Sequence, residues 1–239
     1  MRGKFVIMTV SKSVARMAVD VGGTFTDVAL EYGGTQVTTK VLTTPASPEF
    51  GVLSGITKAL GESGLTASDV DILIHGTTLA TNALIERKGA KVALITTEGL
   101  RDSVEMAQEN RFDQYDINID RPTPLVPRYL RWGVRERLNV HGQALIPLAE
   151  DSVTTLIPDI DKFEIAAVAI GLIHSYANSM HEERVAEILS KARPELSITL
   201  SSEVCPEIRE YERQSTASAN AYVQPMMSRY LRELDSRLT

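Results

Sequence analysis

A single cysteine, Cys205, is all the thiol in this chain of 239 residues. It cannot form an internal disulfide, which fits a reducing compartment, with the cytoplasm as default location. No apolar run approaches the ~20 residues of a membrane span. Basic charge is in deficit: 25 Lys and Arg face 31 Asp and Glu, a formal net charge of -6. Such a chain lacks the broad positive field that non-specific nucleic-acid binding requires. Internal repeats and low-complexity stretches are missing too. What is present is ordinary: 43% hydrophobic and 23% charged residues, a composition that excludes disorder, collagen and coiled coil as whole-chain architectures. The length suits one large domain or two small ones. Met1 to Thr9 places Arg2 and Lys4 before a short apolar patch with no cleavage site. Residues 1–14 are therefore expected to form a disordered lead, with Met8 or Met17 as alternative starts.

Strand and helix patterns alternate, which gives an α/β class. Val14 to Val19 and Thr26 to Glu31 read as strands. Tyr32-Gly33-Gly34-Thr35 turns the chain into a third, Gln36 to Leu42, completing an antiparallel opening. Ser47-Pro48 marks a helix start, with Val52, Leu53, Ile56, Ala59 and Leu60 on its apolar face. Ile72 to His75 predicts a strand. A helix capped by Thr77 or Thr78 follows, ending near Lys88 with Gly89 as its terminating residue. Lys91 to Thr96, Ile165 to Ile170 and Ile198 to Ser201 predict further strands. Arg111 to Arg131 predicts an irregular, proline-rich excursion, and Val134 to Ile146 a hairpin around His141-Gly142. Ser179 to Glu182 matches a capping box before a helix carrying Val185, Ile188, Leu189 and Ala192. From about Glu207 one helical pattern runs to Leu238, with a wide apolar stripe from Ala219 to Leu234 and Pro225 expected to kink or divide it. No strand follows for that stripe to cover. The expectation is one domain over residues 15–206 and the truncated start of a second over 207–239.

The sharpest local signal is Asp20-Val21-Gly22-Gly23-Thr24-Phe25-Thr26-Asp27, at the turn between the first two strands. Adjacent glycines admit an anion close to backbone N–H groups, and Thr24 and Thr26 add hydroxyls. Asp20 can hold a metal directly or through its waters. The loop is neither a Walker-type loop nor a G-x-G-x-x-G turn, and it enters a strand, so no helix dipole is involved. A glycine hairpin whose threonines serve β propensity is the competing reading. His75-Gly76-Thr77-Thr78 presents further N–H groups and hydroxyls, or simply caps a helix. Arg209, Glu210, Glu212 and Arg213 form a charge cluster at a helix start, either a solvated face or a contact surface. Arg121, Arg128, Arg131, Arg135 and Arg137 make the one basic stretch, read as plain surface or as a seat for an anionic substrate or partner. His141, His174, His181 and Cys205 show neither metal-ligand spacing nor a nucleophile–base arrangement.

The loop resembles the first phosphate motif of the actin, hexokinase and heat-shock-protein ATPase superfamily. Other segments narrow the resemblance: His75 to Ala90, Leu94 to Asp102, Pro124 to Arg128, Leu172 to Asn178 and Glu203 to Arg213. In this order, from about Met17 onward, the chain is similar to the N-terminal region of the hydantoinase A, 5-oxoprolinase and acetone carboxylase β-subunit family. The resemblance implies a ribonuclease H-like lobe of actin/hexokinase type, with a mixed sheet, a glycine hairpin under the phosphates of ATP, and an incomplete second lobe. It implies an ATP-binding subunit of a cyclic-amide hydrolase, in which ATP and Mg²⁺ activate a carbonyl oxygen by phosphorylation. The substrate is then a lactam, a hydantoin or, in a carboxylase, a ketone, and a hydantoinase B-type subunit completes the reaction.

Residue by residue, the resemblance implies that Asp20 and Asp27 are catalytic, with Mg²⁺ on Asp20 through water. It assigns Gly22, Gly23, Thr24, Phe25 and Thr26 to the nucleotide, and Thr77, Thr78, Asn82, Arg209 and Glu212 to the cleft lining. An oligomer is expected, without nucleic-acid or membrane partners. Family A subunits are much longer, and no second Asp-x-Gly-Gly-Thr occurs here, so a piece with one loop is expected to bind ATP weakly or not at all and to be inactive by itself. A small-molecule kinase of the superfamily and a non-catalytic assembly module are the alternatives.

Overall fold

A computed structural model describes residues 14–108, 115–118 and 122–238. The expected lead, apart from Val14, and Arg121 with part of the excursion around it lie outside the described residues. The chain forms two compact units, Met1–Asn82 with Tyr230–Thr239 and Ala83–Arg229, a grouping that differs from the division at residue 206 expected from the sequence.

In the first unit β1 (Arg16–Val21), β2 (Phe25–Tyr32), β3 (Thr35–Leu42) and β4 (Ile72–Thr77) form a sheet in the order β3-β2-β1-β4. The first three strands are antiparallel, as the pattern leads one to expect, and β4 runs parallel to β1. Gly33 and Gly34 take φ of 58° and 80°, which makes the tight turn between β2 and β3 possible. α1 (Pro48–Ser63) joins β3 to β4 and packs on β2 and β3 through Val52, Ile56 and Ala59. At Gly55 helix and sheet approach so closely that a Cβ would lie 2.7 Å from Val28 Cγ2. Alternation along β1 is strict: Met17, Val19 and Val21 are buried, while Arg16, Ala18 and Asp20 are exposed on the opposite face.

α2 (Leu79–Ile85) follows β4 and ends earlier than the sequence suggests. Arg87, with φ 55°, takes the left-handed terminating position. Lys88 N donates to Ala83 O at 2.9 Å and Arg87 N to Leu84 O at 3.4 Å, which closes the helix end. Gly89 serves packing instead: a Cβ there would lie 2.2 Å from ring atoms of Tyr222.

The second unit continues with β5 (Val92–Thr97), α3 (Ser103–Met106), β6 (Arg131–Val134), the hairpin β7 (Arg137–Leu138) and β8 (Ala144–Ile146), α4 (Glu150–Thr154) and α5 (Ile157–Lys162). Then come β9 (Ala167–Gly171), α6 (Met180–Ala192), β10 (Ser197–Leu200), α7 (Ser201–Val204) and α8 (Glu210–Leu238), whose last residues return to the first unit. The main sheet has the order β10-β9-β5-β6 and is parallel throughout. Every residue of β5 and β9 is buried, as expected for parallel strands covered on both faces.

Three expectations change here. The irregular excursion gives way to strand at Arg131, which pairs with Leu94 of β5, and its buried guanidinium donates to Val126 O at 2.9 Å and to Glu105 Oε2 at 2.7 Å. The capping box at Ser179 does not form: Ser179 Oγ pairs with Glu183, and Glu182 turns into the core. α8 runs on through Pro225 undivided. Its buried face opens on Arg213 and Gln214 before Ala217 and Ala221, and of the stripe Tyr222, Tyr230 and Leu234 are buried, Ala219, Val223, Met226 and Met227 are half-buried and Leu231 is exposed. Among the described residues no helix is long and apolar enough to cross a membrane.

Candidate functional site

β1 hands over to β2 through Gly22-Gly23-Thr24, and Gly22 N donates to Phe25 O at 2.9 Å to close the turn. Neither glycine has a positive φ; what each needs is room. A Cβ on Gly22 would lie 3.0 Å from Phe25 O, and one on Gly23 3.2 Å from Asn82 Nδ2. The loop is fastened from two sides. Thr43 N donates to Thr24 O at 2.9 Å, and Thr43 Oγ1 donates to Gly22 O at 3.0 Å. On the other side Thr78 N donates to Val21 O at 3.1 Å, and the hydroxyls of Thr77 and Thr78 donate to the same carbonyl at 3.3 and 3.4 Å. Asn82 Nδ2 donates to Thr78 Oγ1 at 3.3 Å, and Thr77 Oγ1 accepts from Leu79 N at 3.1 Å, capping α2. The N–H groups of Gly23 and Thr24 have no acceptor among the described residues. Thr26 is placed differently from the sequence expectation. It is fully buried, with its hydroxyl 3.0 Å from that of Thr43, so it anchors the loop from below.

Register then sets the charges. Asp20 stands opposite Asp27 on β2 and Gly76 on β4. All three are on the exposed face of the sheet. A Cβ on Gly76 would lie 3.4 Å from Asp20 Oδ1, so the missing side chain leaves the carboxylate open. Asp27 is ion-paired with Lys40 Nζ at 2.9 Å, and the same ammonium lies 5.1 Å from the centroid of the Phe25 ring. A hollow of about 520 Å³ opens over this face, with Ala18, Ala29 and Gly76 as its floor and Asp20, Asp27 and Lys40 in its lining.

His75 accompanies the loop in sequence but is paired away from it. Its Nε2 lies 2.9 Å from Tyr230 Oη, and burial pushes the imidazole below its ordinary range, against the raising effect of the Asp20 charge. Burial also pushes the Tyr230 phenol up to about 12. His75 is thus a packed residue rather than a base in the hollow.

Arg209 and Glu212 belong to the second unit, whereas the loop is built by the first. Glu212 accepts from Gln108 Nε2 at 2.7 Å and is held below the usual carboxylate range by a backbone hydrogen bond and by Gln108. Two residues of the basic stretch are tied down. Arg128 grips Asp102 with two bonds of 2.8 and 2.9 Å, and Arg131 is buried. Sequence reading missed a buried trio in which Glu136 accepts from the Thr97 hydroxyl and lies 2.7 Å from His181 Nδ1. Its members stand far apart in the chain and share no local pattern.

Comparison with known proteins gives consistent results. Residues 16–193 match the family described as hydantoinase/oxoprolinase N-terminal region. An uncharacterised protein of Methanocaldococcus jannaschii is 37% identical over 222 residues, covering 91% of this chain and 32% of its own length. The crystal structure of the ATP-dependent caprolactamase from Pseudomonas jessenii aligns with a TM-score of 0.84 at 35% identity, over 93% of this chain and 33% of that one. Nucleotide-free acetone carboxylase aligns with a TM-score of 0.83 at 26% identity, over 95% of this chain and 34% of that one. The chain spans about a third of the length of these relatives.

Proposed function

The chain belongs to the hydantoinase/oxoprolinase family, and from that premise we propose that it is the ATP-binding N-terminal part of a subunit of an ATP-dependent cyclic-amide hydrolase. The observation that carries this reading is Asp20. Its exposed carboxylate has no cation of its own among the described residues and stands beside a loop with two free N–H groups. Free N–H groups on a tight turn suit phosphate oxygens, and a carboxylate suits a hard divalent cation held through oxygen or water. Among the described residues no three His, Cys, Asp or Glu are grouped to hold a metal by themselves. Mg²⁺ here would be shared between Asp20, water and the ligand's own oxygens. ATP supplies the phosphoryl group that activates a carbonyl oxygen of the substrate. Gly22, Gly23 and Thr24 receive the phosphates, with Phe25 at their edge, and Thr77, Thr78 and Asn82 keep the loop in shape for them.

The substrate class is a lactam or hydantoin, in keeping with the caprolactamase relative, which is an α subunit. That status also supports a partner subunit, for which the hydantoinase B type is our proposal. A second reading, ketone carboxylation, draws on the acetone carboxylase alignment. Equilibrium dialysis against millimolar Mg-ATP tests the site. Wild-type chain should retain nucleotide and Asp20→Ala should not. Because Asp20 is an exposed surface residue, the variant should unfold within about 0.5 kcal/mol of wild type. Equal retention by both proteins would remove Asp20 from the site.

A further inference from the structure

We infer that Lys40 is the cation that meets the ligand's phosphate oxygens in this hollow, and that Asp27 is a positioning residue that holds it there. The inference rests on the phosphate reading of the loop. Strand register is its first support. Asp20 on β1 faces Asp27 on β2, and Asp27 faces Lys40 on β3, so three charges form one row across the sheet. All three line the same hollow, and Lys40 is the one cation in that lining among the described residues.

The second support is restraint. A lysine on an exposed strand ordinarily samples many rotamers, and ordering it is entropically costly. Here Asp27 Oδ1 at 2.9 Å and the Phe25 ring at 5.1 Å fix the ammonium from two directions. Only one of its three N–H donors is needed for Asp27, and its side chain remains 57% exposed, so donors are left for a ligand.

The third support is charge balance. Asp20 and Asp27 alone would present two negative charges to an anionic ligand. Lys40 reduces that to one, and a divalent cation on Asp20 then turns the row net positive. Without Lys40 the same metal only neutralises it. The competing account is a solvated surface ion pair, which contributes little and predicts no effect on ligand binding.

The test uses inorganic tripolyphosphate with Mg²⁺, titrated into the chain and followed by amide NMR shifts at Gly23 and Thr24. Lys40→Met should weaken tripolyphosphate binding by about tenfold or more, and Lys40→Arg should stay within about threefold of wild type. Mg²⁺ alone, without phosphate, should bind Lys40→Met as well as wild type or better. Asp27→Asn should weaken tripolyphosphate by about threefold although it removes a negative charge, because Lys40 loses its anchor, and Asp27→Glu should restore binding. Unchanged tripolyphosphate affinity in Lys40→Met overturns the role of Lys40 while leaving the loop as a phosphate site. An equal loss of Mg²⁺ affinity in that variant overturns it as well. Tighter binding by Asp27→Asn overturns the positioning role. A wild-type chain with no shifts at Gly23 and Thr24 overturns the phosphate reading itself.

Discussion

Glu182 offers the sharpest test of how the second unit is held together. Its side chain is fully buried and accepts four hydrogen bonds. One oxygen receives Leu172 N at 2.9 Å and Ser201 Oγ at 2.7 Å, the other Ser202 N at 3.0 Å and Ser202 Oγ at 2.7 Å. The carboxylate thereby ties the residue after β9 to the start of α7. Leucine at this position fills much of the volume and accepts nothing. The serine hydroxyls can turn to other partners, and Ser201 already has Ser175 Oγ at 3.2 Å. The two backbone N–H groups cannot, and leaving both unsatisfied costs about 2–6 kcal/mol. Extra apolar burial by leucine returns roughly 1 kcal/mol. The net loss of about 3 kcal/mol is a large part of a typical domain's stability of about 5–15 kcal/mol. Urea unfolding followed through Trp132, on β6 of the same unit, should show a midpoint lower by about 1–2 M for Glu182→Leu. Glu182→Gln, which keeps one acceptor oxygen, should fall between the two. A Glu182→Leu protein within about 1 kcal/mol of wild type would refute the assignment of Glu182 as the tie.

Two further outcomes follow from particular contacts. Gly89→Ala should destabilise the second unit by about 1–3 kcal/mol through overpacking on Tyr222, and Tyr222→Ala combined with it should recover part of that loss in a double-mutant cycle. His75 has a lowered pKa in the fold, so the unfolded chain binds its proton more readily. Stability is therefore fully present above the ordinary value of 6.5 and erodes as pH falls through 6.5 toward the folded value. Urea midpoints at pH 7.5 and 5.5 should differ more in wild type than in His75→Gln, and equal differences would contradict the effect.

The legible parts of the fold are those whose cause is local. The opening sheet follows from period-two alternation in β1 and β2 and from a Gly33-Gly34 pair that only a tight turn uses. The misread parts have distant causes. Arg131 looked like surface because its acidic partner, Glu105, comes from another part of the chain. Glu182 fitted a capping box by spacing, yet its four donors come from residues 172, 201 and 202. Gly89 resembled a helix terminator, whereas the space it leaves is for Tyr222 on α8.

The same distinction runs through the candidate site. Asp20 is opened to the surface by the alternation that buries Val19 and Val21. Thr26 shares its parity with Val28 and Leu30, so its burial was readable from the same period. Lys40 required one more step: the pairing of Tyr32 with Thr35 across the turn counts back to Asp27 opposite Lys40.

The claim that the β1–β2 loop with Asp20 is a metal–nucleotide site is tested most directly by paramagnetic mapping. Mn²⁺ in place of Mg²⁺, added with ATP to the labelled chain, broadens the amides nearest the metal. The account predicts the strongest broadening at Asp20, Gly22, Gly23, Thr24 and Gly76, and its loss in Asp20→Ala. Broadening centred elsewhere, or unchanged in Asp20→Ala, would contradict it.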